Sequence, residues 1–183
     1  MASTRERVRE HRQRLREQGL RPIQIWVPDV RAPEFVAEAH RQSALIAASE
    51  HEPDDQAFVD AVSVDLDDDA EPRRVRRGDI CIAAARGAYT GKPRPVVIVQ
   101  DDRFDATASI TVCPLTTKEV EAPLSRIAVE ATAVTGIEQP STIMVDKITT
   151  VPRANVSDRI GRLEGSDLVR LDRALLVFLG LAE

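Results

Sequence analysis

The spacing of apolar and polar positions changes near residue 76 of this 183-residue chain. Ahead of that point the apolar residues recur at helical intervals. Phe35, Val36, Ala39, Leu45 and Ile46 predict a helix starting at Pro33 and running to about Ser49, and Phe58, Val59 and Val62 predict another starting at Pro53. Between prolines, Ile23-Gln24-Ile25-Trp26-Val27 reads as one short strand. A first helix, capped by Ser3 or Thr4 and stopped by Gly19, carries only Val8 and Leu15 as large apolar residues and reads as a solvated arm. From Arg77-Gly78-Asp79 onward the pattern is one of short strands between turn residues, at 79–84, 95–100, 109–115, 125–130, 142–151 and 159–163. Gly165-Ser166-Asp167 caps a closing amphipathic helix with Leu168, Leu171, Leu175, Phe178 and Leu179 on one face.

These elements predict an α+β chain in three parts. Residues 1–65 hold a helix followed by a strand, helix, helix unit, 66–75 form a linker, and 76–183 form a small antiparallel sheet or barrel with a terminal helix. Strand, helix, helix is too little to bury a core alone, so the first part should pair with a second copy. A two-chain ribbon of residues 22–27 would expose Gln24 with Trp26, or Ile23 with Ile25, which is the geometry of a ribbon reading the major groove. An oligomerisation element that touches no DNA fits the same pattern.

Charge sharpens this division. The net charge of -5 hides a basic start, since Met1 to Arg21 holds seven arginines and three acids, followed by Gln42 to Pro72 with ten acids and no Lys or Arg. The arginine-rich helix is either an exposed charged arm or a nucleic-acid contact through Arg12, Arg14 and Arg21. Asp65 to Pro72 has no packing pattern and reads as an acidic linker, either simply solvated or a tethered polyanion able to plug a phosphate-binding groove. Cys81 and Cys113 lack a His or Cys neighbour at ligand spacing and read as buried core thiols, with no disulfide framework or zinc site. No apolar run reaches the length of a membrane span, so the chain reads as soluble and cytoplasmic.

For chemistry, Lys92-Pro93-Arg94-Pro95 followed by Val96-Val97-Ile98-Val99 is the most informative segment. An arginine between two prolines at the mouth of a buried strand has little backbone freedom, so its guanidinium can be held toward a phosphate. All three histidines, His11, His40 and His51, lie in the first half, which leaves the second half without a two-histidine acid/base reaction. No Cys/His or carboxylate cluster has metal-ligand spacing, so neither a two-metal nuclease nor any cofactor is indicated.

Residues 76–181 resemble the MazF/PemK family of toxin endoribonucleases. The resemblance is carried by Arg77-Gly78-Asp79-Ile80, Lys92 to Val97, Pro114-Leu115-Thr116, Met144 to Arg153 and Ile160-Gly161-Arg162-Leu163. It implies a small SH3-like or CcdB-like barrel, a homodimer, and metal-independent cleavage of single-stranded RNA, mRNA above all. In that reaction the 2'-hydroxyl attacks the adjacent phosphate, giving a cyclic phosphate and a 5'-hydroxyl. The first 65 residues are similar to MazE-like antitoxins through Arg12 to Leu15, Gln18 to Asp29 and Pro33 to Ile46, which implies a ribbon-helix-helix-like segment, possible operator DNA binding, and inhibition of the attached toxin half, with residues near 50–71 lying over the RNA groove of the same chain or of its partner. Such partners are normally separate chains.

Residue by residue, the resemblance implies Arg94 and Thr116 as the catalytic pair, meeting the charge that develops on the phosphorane. A structural ion pair for Arg94 and a backbone-satisfied hydroxyl for Thr116 are the plain alternatives. Asp146 would lie near the RNA, accepting from a base edge or orienting Arg94, and otherwise is a rim charge with Lys147. Lys92, Arg86, Lys147 and Arg153 are expected phosphate contacts, and Tyr89 either stacks on a base or anchors its loop. Two departures stand out: the loop Arg86 to Gly91 has no carboxylate where many relatives have one, and Cys81 stands where many have an aromatic residue. The competing readings are a DNA-binding autoregulator built on an inactive toxin scaffold, with contacts from Arg12, Arg14, Arg21 and Gln24, and a gyrase inhibitor of related fold.

Overall fold

The structure, a computed structural model, describes residues 4–63, 74–84 and 92–182. Three helices come first: α1 (Thr4–Glu17), α2 (Pro33–Ala47) and α3 (Glu52–Val62). Gly19 ends the first of these at φ +77°, with its N–H donating to Arg16 O and that of Leu20 to Leu15 O. Both α2 and α3 carry a proline in the first turn, where its missing N–H leaves no intrahelical bond unmade. Residues 22–27, expected as a strand, form none. No strand among the described residues lies beside them to complete a ladder, and Trp26 stands 78% exposed with Ile23 and Ile25 also open to solvent.

Seven antiparallel strands follow: β1 (Asp79–Ala83), β2 (Arg94–Ile98), β3 (Ser109–Thr116), β4 (Arg126–Val129), β5 (Ser141–Met144), β6 (Thr149–Pro152) and β7 (Val156–Arg162). The last helix is α4 (Gly165–Phe178), with Glu164 rather than Ser166 or Asp167 at its cap and Asp167 instead accepting from Arg170 at 2.9 Å. The strand expected over 142–151 is two strands. A single 3-10 turn at Val145–Lys147 separates them, because β5 pairs with Leu115–Thr116 while β6 pairs with the other end of β3, Ser109–Val112. That turn lifts Asp146 and Lys147 out of the ladder.

The strand order is β4-β5-β3-β2-β1-β7, with β6 added to β3, and the two ends of the sheet do not pair with each other. The expected barrel is therefore an unclosed sheet. A loop bridges the gap: Arg162 N–H of β7 donates to Val134 O, beyond the end of β4, at 2.8 Å. Gly136 and Gly161 meet there backbone to backbone, and a Cβ on either would fall 2.1 or 2.0 Å from a carbonyl oxygen.

Both faces of the sheet are covered, which is why its strands read as nearly continuous apolar runs. On one face Ile80, Val97, Cys113, Leu115, Ile127, Ile143 and Val145 pack under Leu171 and Leu175 of α4. On the other, Cys81, Ala83, Val96, Ile98, Ile110, Val112 and Val151 pack with Phe58 and Val62 of α3. Alternation along each strand assigns neighbours to opposite faces. The antitoxin-like segment thus supplies part of a core that belongs mostly to the sheet. Cys81 and Cys113 are both buried, and burial pushes the Cys113 thiol up to about 12. Among the described residues no helix is long and apolar enough to cross a membrane.

Candidate functional site

Arg94 opens β2, and Thr116 closes β3. The two strands pair Ile98 with Val112, Val97 with Cys113 and Val96 with Pro114, and Arg94 and Thr116 each lie two residues beyond the last of these pairs. Opposed residues of antiparallel strands share a face with Cα atoms about 4.5–5.5 Å apart. Here the face is that of Val96, Ile98, Ile110 and Val112, under α3. Sequence places the two residues in separate motifs, and the pairing of β2 with β3 puts those strand ends at the same end of the ladder. The Thr116 hydroxyl is buried and accepts from Lys118 N–H at 3.2 Å.

The guanidinium of Arg94, partly exposed, is engaged by α3. Its Nη1 donates to Asp55 Oδ1 at 2.5 Å, its Nη2 to Asp54 O at 3.4 Å, and its Cζ lies 5.1 Å over the ring of Phe58. Asp55 is buried, and its second oxygen, Oδ2, faces another guanidinium, with Arg126 Nη1 at 3.7 Å. One helical turn earlier on α3, Glu52 Oε1 accepts from the buried Lys147 Nζ, and Gln56 Oε1 accepts from the same ammonium at 2.8 Å. Glu52, Asp55 and Gln56 stand at i, i+3 and i+4, one face of a helix. Below them on the same helix, Phe58 and Val62 enter the core, Ser63 Oγ meets Thr149 Oγ1 at 2.9 Å, and Asn155 Nδ2 donates to Val62 O at 3.0 Å.

Asp146 holds Arg126 rather than Arg94. Arg126 Nη2 donates to Asp146 Oδ2 at 2.9 Å, while Nε stands 2.9 Å from Oδ1 without the alignment of a hydrogen bond. Burial pushes the Asp146 carboxyl above the ordinary carboxylate range, and the attraction of Arg126 offsets part of that rise. Arg153, expected as a phosphate contact, is buried and turned inward: Nε donates to Thr107 O at 2.7 Å and Nη2 to Phe104 O at 3.4 Å. Lys92 is exposed beside Arg94 in sequence. Arg86 and Tyr89 lie outside the described residues, as do Asp67, Asp68 and Asp69 of the linker. Arg12, Arg14, Arg21 and Gln24 are all exposed. Among the described residues no group of three or more His, Cys, Asp or Glu side chains is placed to hold a metal ion.

The motif Arg77-Gly78-Asp79 is built into the scaffold. Arg77 joins Val99 O and Asp172 of α4, Gly78 adopts φ +82°, and Asp79 accepts from Arg76 N–H at 2.8 Å.

Sequence reasoning missed Arg126, Glu52 and Asp55. The signal in α3 was available: acids at 52 and 55 continue the stripe that holds Phe58, Val59 and Val62, and carboxylates in line with an apolar face imply buried cations opposite. Arg126 had no such signal, because alternation in its strand assigns it to a polar face.

Comparison with known proteins divides the chain where its pattern of apolar and polar positions changes. A family model described as PemK-like, MazF-like toxin of type II toxin-antitoxin system matches residues 76–179, and one described as Antitoxin MazE-like matches residues 5–69. The probable endoribonuclease MazF of Mycolicibacterium smegmatis is 65% identical over 108 residues, 59% of this chain and 99% of that protein. The antitoxin MazE of the same organism is 74% identical over 68 residues, 37% of this chain and 99% of that protein. Endoribonuclease MazF9 of Mycobacterium tuberculosis is 31% identical over 116 residues, covering 58% of this chain and 98% of that protein. Two relatives named as separate proteins are each matched almost whole, end to end, in one polypeptide.

Proposed function

The chain belongs to the PemK-like, MazF-like toxin family of type II toxin-antitoxin systems, with a MazE-like antitoxin segment ahead of the toxin, and from that membership we propose an endoribonuclease locked by its own N-terminal segment. The toxin half cleaves single-stranded RNA at a phosphodiester. The 2'-oxygen forms a bond to phosphorus as the bond to the 5'-oxygen breaks; the 2'-hydroxyl gives up its proton and the departing oxygen gains one. The products are a cyclic phosphate and a 5'-hydroxyl. Arg94 meets the charge on the phosphorane oxygens, and Thr116, one strand away, donates to the same group. Asp146 keeps a neighbouring guanidinium in place. Lys147 and Lys92 hold the RNA backbone on either side.

The observation that carries this reading is the carboxylate of Asp55 on Arg94. A helix of the antitoxin-like segment sets acids on the cations that a phosphate would need, so the locked state is one in which α3 imitates the polyanion. The lock acts within one chain. Its test compares RNA cleavage by the full chain with cleavage by the Glu52→Ala/Asp55→Ala chain, scoring product ends. Cyclic phosphate and 5'-hydroxyl ends in the variant, abolished by Arg94→Ala, support the reading. An inert variant that still binds RNA overturns it.

Exposure of the basic face of α1 favours a second role. Arg12 and Arg14, with Arg21 and Gln24 beyond the helix, contact operator DNA in a paired chain, where residues 22–27 gain the ladder partner they lack here. The toxin halves pair in the same dimer. The setting is the cytoplasm, where the RNA substrate resides.

A further inference from the structure

We propose that the Asp55 carboxylate occupies the position of an RNA phosphate and that Arg126 is the second guanidinium of that phosphate site, opposite Arg94; the inference rests on the endoribonuclease reading above. The two Asp55 oxygens are divided between two arginines. Oδ1 lies 2.5 Å from Arg94 Nη1 and Oδ2 lies 3.7 Å from Arg126 Nη1. A phosphodiester presents two non-bridging oxygens on one centre and carries one negative charge, so it replaces a carboxylate between two guanidinia without changing the charge balance.

Arg126 is under-used as it stands. Its side chain is 2% exposed, yet among the described residues Nε and Nη1 make no hydrogen bond, and only Nη2 donates, to Asp146. A buried donor left unpaired costs stability, so an arginine retained for the fold alone is expected to spend its donors. Arg153 in the same protein does so, donating to two main-chain carbonyls from an equally closed position. Arg126 instead keeps Nη1 without a hydrogen bond, 3.7 Å from the Asp55 carboxylate that α3 inserts.

Charge points the same way. With α3 seated, Arg94, Arg126 and Lys147 are met by Asp55, Glu52 and Asp146. Once α3 lifts, Asp146 is the one of these three carboxylates left against the three cations. Asp146 then acts as a positioning residue that aims Arg126. Arg126 is the catalytic residue, gripping a non-bridging oxygen of the phosphate that Arg94 also holds.

Inorganic phosphate tests the site directly in the full chain. Thermal unfolding is followed against phosphate concentration, with chloride keeping ionic strength constant. The wild-type chain, its site filled by Asp55, should show no specific stabilisation, and Asp55→Ala should gain one. Adding Arg126→Lys, which keeps a cation beside Asp146, or Arg94→Gln should each weaken phosphate binding roughly tenfold or more. Arg103→Gln, on an exposed loop, should leave it unchanged. The neutral pair Arg126→Gln/Asp146→Asn serves as the second variant, with the melting temperature in chloride reporting folding. Phosphate binding kept by both Arg126 variants but lost with Arg94→Gln removes Arg126 from the site while leaving the endoribonuclease reading intact. No gain in Asp55→Ala over wild type shows that Asp55 does not mark a phosphate position. RNA cleavage by Glu52→Ala/Asp55→Ala is scored separately, so its absence counts against the nuclease reading and not against the anion site.

Discussion

Arg94 and Asp55, thirty-nine residues apart in sequence, are joined by a 2.5 Å Nη1 to Oδ1 hydrogen bond that links the strand-mouth arginine to a helix of the other half of the chain. Asp55→Asn keeps the side chain's shape and removes its charge. The Arg94 guanidinium then lacks its counter-charge, and α3 holds the groove less tightly. RNA cleavage by the full chain should rise by roughly tenfold or more, since a charge-assisted bond contributes about 1.5–3 kcal/mol. A gel assay on a long single-stranded transcript measures it, and no rise would separate Asp55 from the lock.

Thr116 tests the catalytic pair from the other strand. Among the described residues its hydroxyl makes a single side-chain hydrogen bond, accepting from Lys118 N–H, so Thr116→Val should fold normally. In the Glu52→Ala/Asp55→Ala chain it should lower the cleavage rate by on the order of 100-fold. Undiminished cleavage with unchanged RNA affinity would reduce Thr116 to a strand residue.

Phe58 is fully buried against the sheet and lies under the Arg94 guanidinium. Phe58→Ala leaves a cavity in the core that α3 shares with β2 and β3, at a cost of about 3–5 kcal/mol. Urea unfolding should show that loss, and the same variant should cleave RNA faster than wild type. A destabilised chain with no gain in cleavage would indicate that α3 packs without locking.

Asp146 gives a pH signature. Burial raises its carboxyl above the ordinary value of 3.8, against the pull of Arg126 and Lys147 and with the repulsion of Glu52. A raised folded-state value means that this group's contribution is complete below the ordinary carboxylate value and is lost as pH climbs through the raised one. Asp146→Asn lacks that loss. The stability of wild type relative to the variant should therefore be greatest near pH 4 and shrink toward pH 7, by urea unfolding at a series of pH values from about 4 to about 7. A difference that widens with pH would mean that Arg126 attraction outweighs burial.

Local elements were legible because local rules govern them. Pro33, Pro53 and Gly19 mark helix ends by backbone chemistry, and the apolar runs mark strands covered on two faces. The continuous reading of 142–151 failed since periodicity does not say which neighbour a strand chooses, and this one changes neighbours at Val145. Residues 22–27 have strand composition without a strand, because a ladder is a property of two segments. The family motifs name Arg94 and Thr116, whereas no motif names Asp55, Glu52 or Arg126. Their burial depends on contacts between segments about 40 to 95 residues apart, which no local pattern encodes. Arg153 erred in the opposite sense, since nothing in the sequence around it reveals that its donors close a loop.

Phe58 and Val62 sit in the sheet's second core on the same short helix that sets Glu52 and Asp55 over the cations. Latch and keystone are one piece. In the proposed lock, withdrawing that helix to admit RNA wets a band of valine and isoleucine at the same moment, so the switched-on form would be a greasier molecule than the silent one. An unlocked chain must find fresh cover for that band or come out of solution, which couples its activity to its company.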